Sequence, residues 1–181
     1  VFFALVYVWL AARDVIYCWY AAAISSVLFI IVVNRAGLQA ESLLHVFYLI
    51  MAGVGWYSWR SGIRKMFEKP IIRWRLKWHA IIILSTFVAG AIAGIVLDVY
   101  TEAQLPYLDA QTTAFSMVAT WMVTRKVLEN WIYWIVIDAV SIPLYASRGL
   151  ELSALLYALY CGIAVYGFIE WRKEYRLRTR W

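Results

Sequence analysis

The chain has 181 residues, of which 65% are apolar, 18% aromatic and only 15% charged. Soluble domains carry about 45–50% apolar and about 25% charged residues, and a short chain cannot hide such an excess in one core. Composition therefore excludes an ordinary water-soluble domain and predicts an all-α integral membrane protein. The net charge of +6 is not a nucleic-acid footprint, because the basic residues gather at the ends of apolar segments.

Seven apolar segments follow in chain order, at 1–12, 15–33, 40–59, 78–97, 105–124, 127–147 and 150–171. Most approach the ~20 residues that a helix needs to cross the hydrocarbon core. They are about twice the length of barrel strands and do not alternate, so a β-barrel is excluded. The first is short and opens at Val1 within an apolar run, without the charged region or cleavage site of a secretory signal. Further residues are therefore expected before it. Cys18 and Cys161 have no motif spacing and read as small hydrophobes.

Basic residues set the expected orientation. Arg13 follows the first segment, and Arg60, Arg64, Lys65, Lys69, Arg73, Arg75 and Lys77 join the third to the fourth. Arg125 and Lys126 follow the fifth, and Arg172, Lys173, Arg176, Arg178 and Arg180 form the tail. Seven crossings place these 15 of the 17 Lys and Arg residues on one side, leaving only Arg35 and Arg148 opposite. The N-terminus is expected outside and the C-terminus in the cytoplasm of a multi-pass bacterial inner-membrane protein. Asp98, Glu102 and Asp109 gather on the outer side. Contact of the basic side with anionic lipid is a secondary expectation.

The chain also repeats itself. Sliding the chain until Arg13 meets Arg125 aligns 13–60 with 125–172 without a gap, and 13 of the 48 pairs are identical. They include Arg13/Arg125, Trp19/Trp131, Gly37/Gly149, Leu43/Leu155, Leu44/Leu156, Tyr48/Tyr160, Gly55/Gly167, Trp59/Trp171 and Arg60/Arg172. Composition alone would give about four. Each copy spans three segments and one segment separates them, so both copies enter the membrane in the same direction. The expected fold is a seven-helix, 3+1+3 parallel repeat. Residues 1–60 form the first repeat, 61–77 a basic loop, 78–104 a linking helix with an outer loop, 105–172 the second repeat and 173–181 a basic tail. Gly90 and Gly94 in the linking helix have small-xxx-small spacing, which suits close packing within or between subunits.

Polar residues within apolar segments mark the candidate site, because each is costly in lipid. Asp138 lies twelve residues after Lys126 and ten before Arg148, near the bilayer midplane. Trp131, Trp134 and Asp138 share a helical face at i, i+3 and i+7. Two indoles and a carboxylate suit a flat cation. The third segment carries Glu41, His45 and Tyr48 on one face, and its copy carries Ser153, Tyr157 and Tyr160 there. Thr113, Ser116, Thr120 and Thr124 line the fifth segment with Gln111 above them, although such hydroxyls also bond to their own helix. Trp56, Trp59, Trp121 and Trp171 lie within about a turn of basic residues and read as an interfacial belt. The only histidines are His45 and His79, so no metal cluster is expected. No Walker loop or nucleophile elbow is present. An intramembrane enzyme using Asp138 and His45 as acid and base is the alternative of another class.

Three stretches carry a family resemblance: Thr124-Arg-Lys-Val-Leu-Glu-Asn-Trp-Ile-Tyr-Trp134 with Asn130 inside it, Gly55-Trp-Tyr-Ser-Trp59, and Leu108-Asp-Ala-Gln111. They resemble the PnuC family of bacterial vitamin transporters over nearly the whole chain. The resemblance implies a three-one-three fold similar to the SWEET sugar transporters and a homotrimer. It implies facilitated diffusion of a small vitamin, trapped by a cytoplasmic vitamin kinase, with no cofactor. The nicotinamide riboside branch tends to carry Asn at the position of Asp138 and Gln at that of His45. An acid at that depth suits a thiazolium ring, so thiamine is the expected cargo and nicotinamide riboside the alternative. The resemblance and the spacing together nominate Trp131, Trp134, Asp138, His45, Glu41, Tyr48, Asn130, Gln111 and Tyr157 as cargo-binding.

Overall fold

Apolar runs of this length satisfy their backbone polar groups internally only as helices. In the computed structural model, which describes residues 1–35, 39–63, 69–101 and 105–178, the chain is seven helices. These are α1 (Phe2–Ala12), α2 (Cys18–Arg35), α3 (Gln39–Ile63), α4 (Leu76–Tyr100), α5 (Pro106–Thr124), α6 (Asn130–Ser147) and α7 (Glu151–Arg178). The expected Gly37 and Glu102 lie outside the described residues. So does the side chain of Glu41.

Two helices show how the chain meets lipid. α4 and α7 each hold an 18-residue stretch long and apolar enough to cross a membrane, and only 17% of either stretch is buried. A soluble protein would cover such helices; here their apolar side chains face outward.

Packing follows chain order within two groups. α2 packs on α1 and α3, and α6 packs on α5 and α7. Two contacts join the groups, α1 with α7 and α3 with α5. α4 packs on α5. A Cβ on Gly94 would sit 2.6 Å from the Tyr107 ring, and one on Gly90 would sit 2.6 Å from Gln111. The small-xxx-small spacing thus serves a close contact inside the subunit, where missing side chains let two helices approach.

Both groups turn at their basic end through the same elbow. Asp14 and Lys126 have φ of 56°, the left-handed region that non-glycine residues seldom adopt. Val15 N–H donates to Leu10 and Val127 N–H to Met122, at 3.0 and 3.1 Å. Cys18 N–H donates to Val15 and Asn130 N–H to Val127, at 3.0 and 3.1 Å. Within each of these pairs, the two donors are aligned residues of the sequence repeat.

A tryptophan cluster lies beside the elbows. Trp19 meets Trp59 edge-on at 5.4 Å, and Trp131 meets Trp171 edge-on at 5.5 Å. Trp59 and Trp171 then meet each other at 6.1 Å. Trp59 Nε1 donates to the Val123 carbonyl at 3.2 Å, and Trp171 Nε1 donates to the Ala11 carbonyl at 3.1 Å. Each bond crosses from one group to the other. The belt expectation is therefore corrected for Trp59 and Trp171, which are 2% and 1% exposed. Proximity to basic residues reported their depth, not the direction of their rings. Trp121 is 37% exposed, beside Arg125 and Trp74.

Residues 69–75 strap the second elbow. Ile72 N–H donates to the Lys126 carbonyl at 2.9 Å, and Leu128 N–H donates to Ile72 at 2.8 Å. Ile71 is buried in the tryptophan cluster. Arg73 pairs with Glu129 at 2.7 Å, and Trp74 N–H donates to the same carboxylate at 3.3 Å. Lys69 donates to Ser58 Oγ and to the Thr124 carbonyl. Burial, together with the nearby Arg125 and Lys126 cations, holds its ammonium below the usual lysine range.

Candidate functional site

Four helices bring polar side chains together midway along the bundle. Asp138 is the ninth residue of the eighteen in α6 and is 2% exposed. Among the described residues no hydrogen bond or ion pair reaches its carboxylate. Tyr157, Tyr160 and Cys161 on α7 lie within its electrostatic reach. An acid in this setting has no charged partner among the described residues. Such a group is expensive unless a cation or a proton meets it.

The aromatic groups around it form a continuous set. Tyr157 stacks on Tyr145 of α6 at 4.9 Å and meets Tyr160 edge-on at 6.0 Å. Tyr48 of α3 reaches Ser116 of α5 and lies near Tyr145, Tyr157 and Tyr7. His45 stacks nearly parallel on Phe29 at 4.6 Å and meets Tyr48 edge-on at 5.8 Å. One carboxylate, a set of phenols and an imidazole can hold a flat organic cation by charge and by ring faces. Asp138, Tyr157, Tyr48 and His45 are thus parts of one region.

Other nominated residues are placed differently. Trp131 is 2% exposed, with its ring against Gly167, where a Cβ would approach to 2.8 Å, and against Trp171. Protein occupies its faces. Trp134 is partly buried against the same cluster. Asn130 is fully buried and donates to the Val127 carbonyl at 2.6 Å, which ties it to the second elbow. Gln111 donates to the Phe87 carbonyl of α4 at 3.0 Å. It therefore sits in the α4–α5 contact and not with Asp138, because α4 packs on the face of α5 that carries it. Ser116, Thr120 and Thr124 donate to carbonyls of their own helix at 2.7, 2.8 and 2.7 Å.

Tyr7, Phe29 and Tyr145 belong to the same region and carry no sequence signal, since a tyrosine or phenylalanine is common in so apolar a chain. A contact also joins the groups, Lys126 Nζ to Asp14 Oδ2 at 2.7 Å. The repeat alignment holds its signal, for Asp14 stands opposite Lys126 there. At the other end Arg148 pairs with Asp109 at 2.8 Å.

Comparison with known proteins supplies the family and the fold. A family model described as nicotinamide mononucleotide transporter matches residues 1–173. The nicotinamide riboside transporter PnuC of Escherichia coli (strain K12) is 27% identical over 93% of this chain and 81% of its own length. The riboflavin/roseoflavin transporter RibM of Streptomyces davaonensis is 24% identical over 81% of this chain and 68% of its own. The crystal structure of the vitamin B3 transporter PnuC superposes with a TM-score of 0.76 at 23% identity, covering 96% of this chain and 79% of that one. That likeness shows the fold, a helical membrane protein.

Proposed function

Because the chain belongs to the nicotinamide mononucleotide transporter family, we propose that it carries nicotinamide riboside across the bilayer by facilitated diffusion. The observation that carries this reading is Asp138, an acid buried mid-helix and within reach of Tyr157 and Tyr160. Its carboxylate offers a counter-ion to the pyridinium of nicotinamide riboside, and the aromatic side chains offer ring faces to the same cation. Tyr48 and His45 complete the site from α3. Trp131 and Asn130 support it from the elbow side without touching cargo in this conformation, and Trp134 flanks the tryptophan cluster beside them.

The expectation of thiamine gives way. It rested on Asp138 and His45 alone, and either cationic ring satisfies the acid. The relatives are named for nicotinamide riboside and riboflavin, which favours the pyridine cargo. The family model and the relatives are named for transport, which favours a transporter over the intramembrane-enzyme reading.

We read the scaffold as a parallel three-one-three repeat of the SWEET type, with seven crossings. The elbow hydrogen bonds and cross-group tryptophan bonds that recur at aligned residues of the two copies support it. The excess of basic residues supports an N-terminus outside. A homotrimer and trapping by a vitamin kinase follow from the family resemblance.

The test is uptake of labelled nicotinamide riboside, thiamine and riboflavin into proteoliposomes without a proton or sodium gradient. Nicotinamide riboside should equilibrate fastest. Uptake of thiamine alone would overturn the cargo, and a strict need for an ion gradient would overturn facilitated diffusion.

A further inference from the structure

Asp14 and Lys126 occupy equivalent positions in the two elbows, and they are the one aligned pair of opposite charges in the repeat. Related positions that meet would repel if both carried the same charged residue. A contact of this kind needs the copies to differ, and here they do. The Lys126 ammonium lies 2.7 Å from Asp14 Oδ2, with side chains 5% and 19% exposed. It also lies 4.4 Å from the centre of the Trp59 ring. Thus the second group's cation is gripped by the first group from two directions. Both residues are held at φ of 56°, a conformation that disfavours lysine and is kept only where surroundings enforce it.

We propose that the Asp14–Lys126 pair is a latch that holds the basic ends of the two three-helix groups together and parts each time that end opens. This role rests on the transport reading above. The tryptophan ring contacts at the same end are apolar and resist opening to water. An ion pair behaves otherwise, because burial strips hydration from both charges and opening returns it. Closed and open forms of such a contact can therefore lie close in free energy, as an alternating gate requires.

The molecule carries its own reporter. Cys18 is fully buried at the start of α2 and within electrostatic reach of both Asp14 and Lys126. In a Cys161→Ala background, the rate at which N-ethylmaleimide alkylates Cys18 in the full chain, read by intact mass, reports opening of this end when it rises in both charge variants, because Asp14 and Lys126 act on the thiol in opposite directions. D14N and K126N remove one charge each, and asparagine tolerates the left-handed backbone. Each should raise the rate on the order of tenfold, and the swap D14K/K126D should restore it towards the parent value. D98N, which removes a charge at the end of α4 far from the strap, should leave it unchanged. Unchanged rates in both single variants would overturn the latch, and so would a swap as reactive as the singles. If the singles do not fold, the swap decides: parent-like reactivity supports the latch, and high reactivity or failure to fold overturns it. The readout needs no cargo, so absence of vitamin uptake would sink the transport reading while leaving this result to stand.

Discussion

The elbows at residues 13–17 and 125–129 have one backbone and two sets of supports. Their turn hydrogen bonds match in length: Asp14 and Lys126 N–H both donate at 3.0 Å, while Val15 and Cys18 at 3.0 Å are set against Val127 and Asn130 at 3.1 Å. The second elbow is tied down by the strap, with Glu129 holding Arg73 and the Trp74 amide. The first has Tyr17 at the matching place, and that side chain is 66% exposed. Identical residues, such as Trp19/Trp131 and Gly55/Gly167, build geometry common to both. Differing residues, such as Tyr17/Glu129, Ser26/Asp138 and His45/Tyr157, add chemistry to one copy alone. The first elbow is the freer of the two and the second the anchored one.

Substitutions can break that contrast. The largest effect is expected where the copies agree. Gly167→Val drives a side chain into Trp131 and Gly55→Val drives one into Trp19. Each should cost about 3 kcal/mol by overpacking, seen as loss of monodisperse protein on size exclusion. One tolerated and one lethal variant would show that the clusters are not equivalent. Glu129→Gln should cost about 1–3 kcal/mol, because it weakens bonds to a charged acceptor, whereas Tyr17→Phe should stay within about 0.5 kcal/mol. Hydrogen exchange should show the loss confined to residues 69–75 and 125–129. Equal effects at both positions would remove the anchored-versus-free distinction. Smallest, Trp59→Phe and Trp171→Phe each delete one cross-group hydrogen bond. Each should cost about 1 kcal/mol and lower thermal stability to a similar extent.

Helix number and order were legible because apolar runs near membrane length have one backbone solution. Boundaries were less so. Segments two and six begin by pattern at 15 and 127, but α2 and α6 begin at Cys18 and Asn130. The elbows use Asp14 and Lys126 in a left-handed conformation, and neither Gly nor Pro announces it. Asp138 was legible because depth can be counted from flanking charges. Trp131 and Gln111 were placed on the right helices, but the partners of a helical face belong to the packing. Neither the ring of Trp171 against Trp131 nor the backbone of α4 beside Gln111 has a local signal. Trp59 and Trp171 show the same limit.

Above all, Asp138 is read as the group that recognises a cationic vitamin in one copy of a repeated scaffold. Equilibrium exchange of labelled nicotinamide riboside in proteoliposomes tests this role most directly, comparing Asp138→Asn with Ser26→Ala at the matching position of the first copy. Asp138→Asn should lose at least tenfold in apparent affinity, about 1.4 kcal/mol, with Ser26→Ala close to the parent. Equal exchange by the parent and Asp138→Asn, or an equal loss in both variants, would contradict that role.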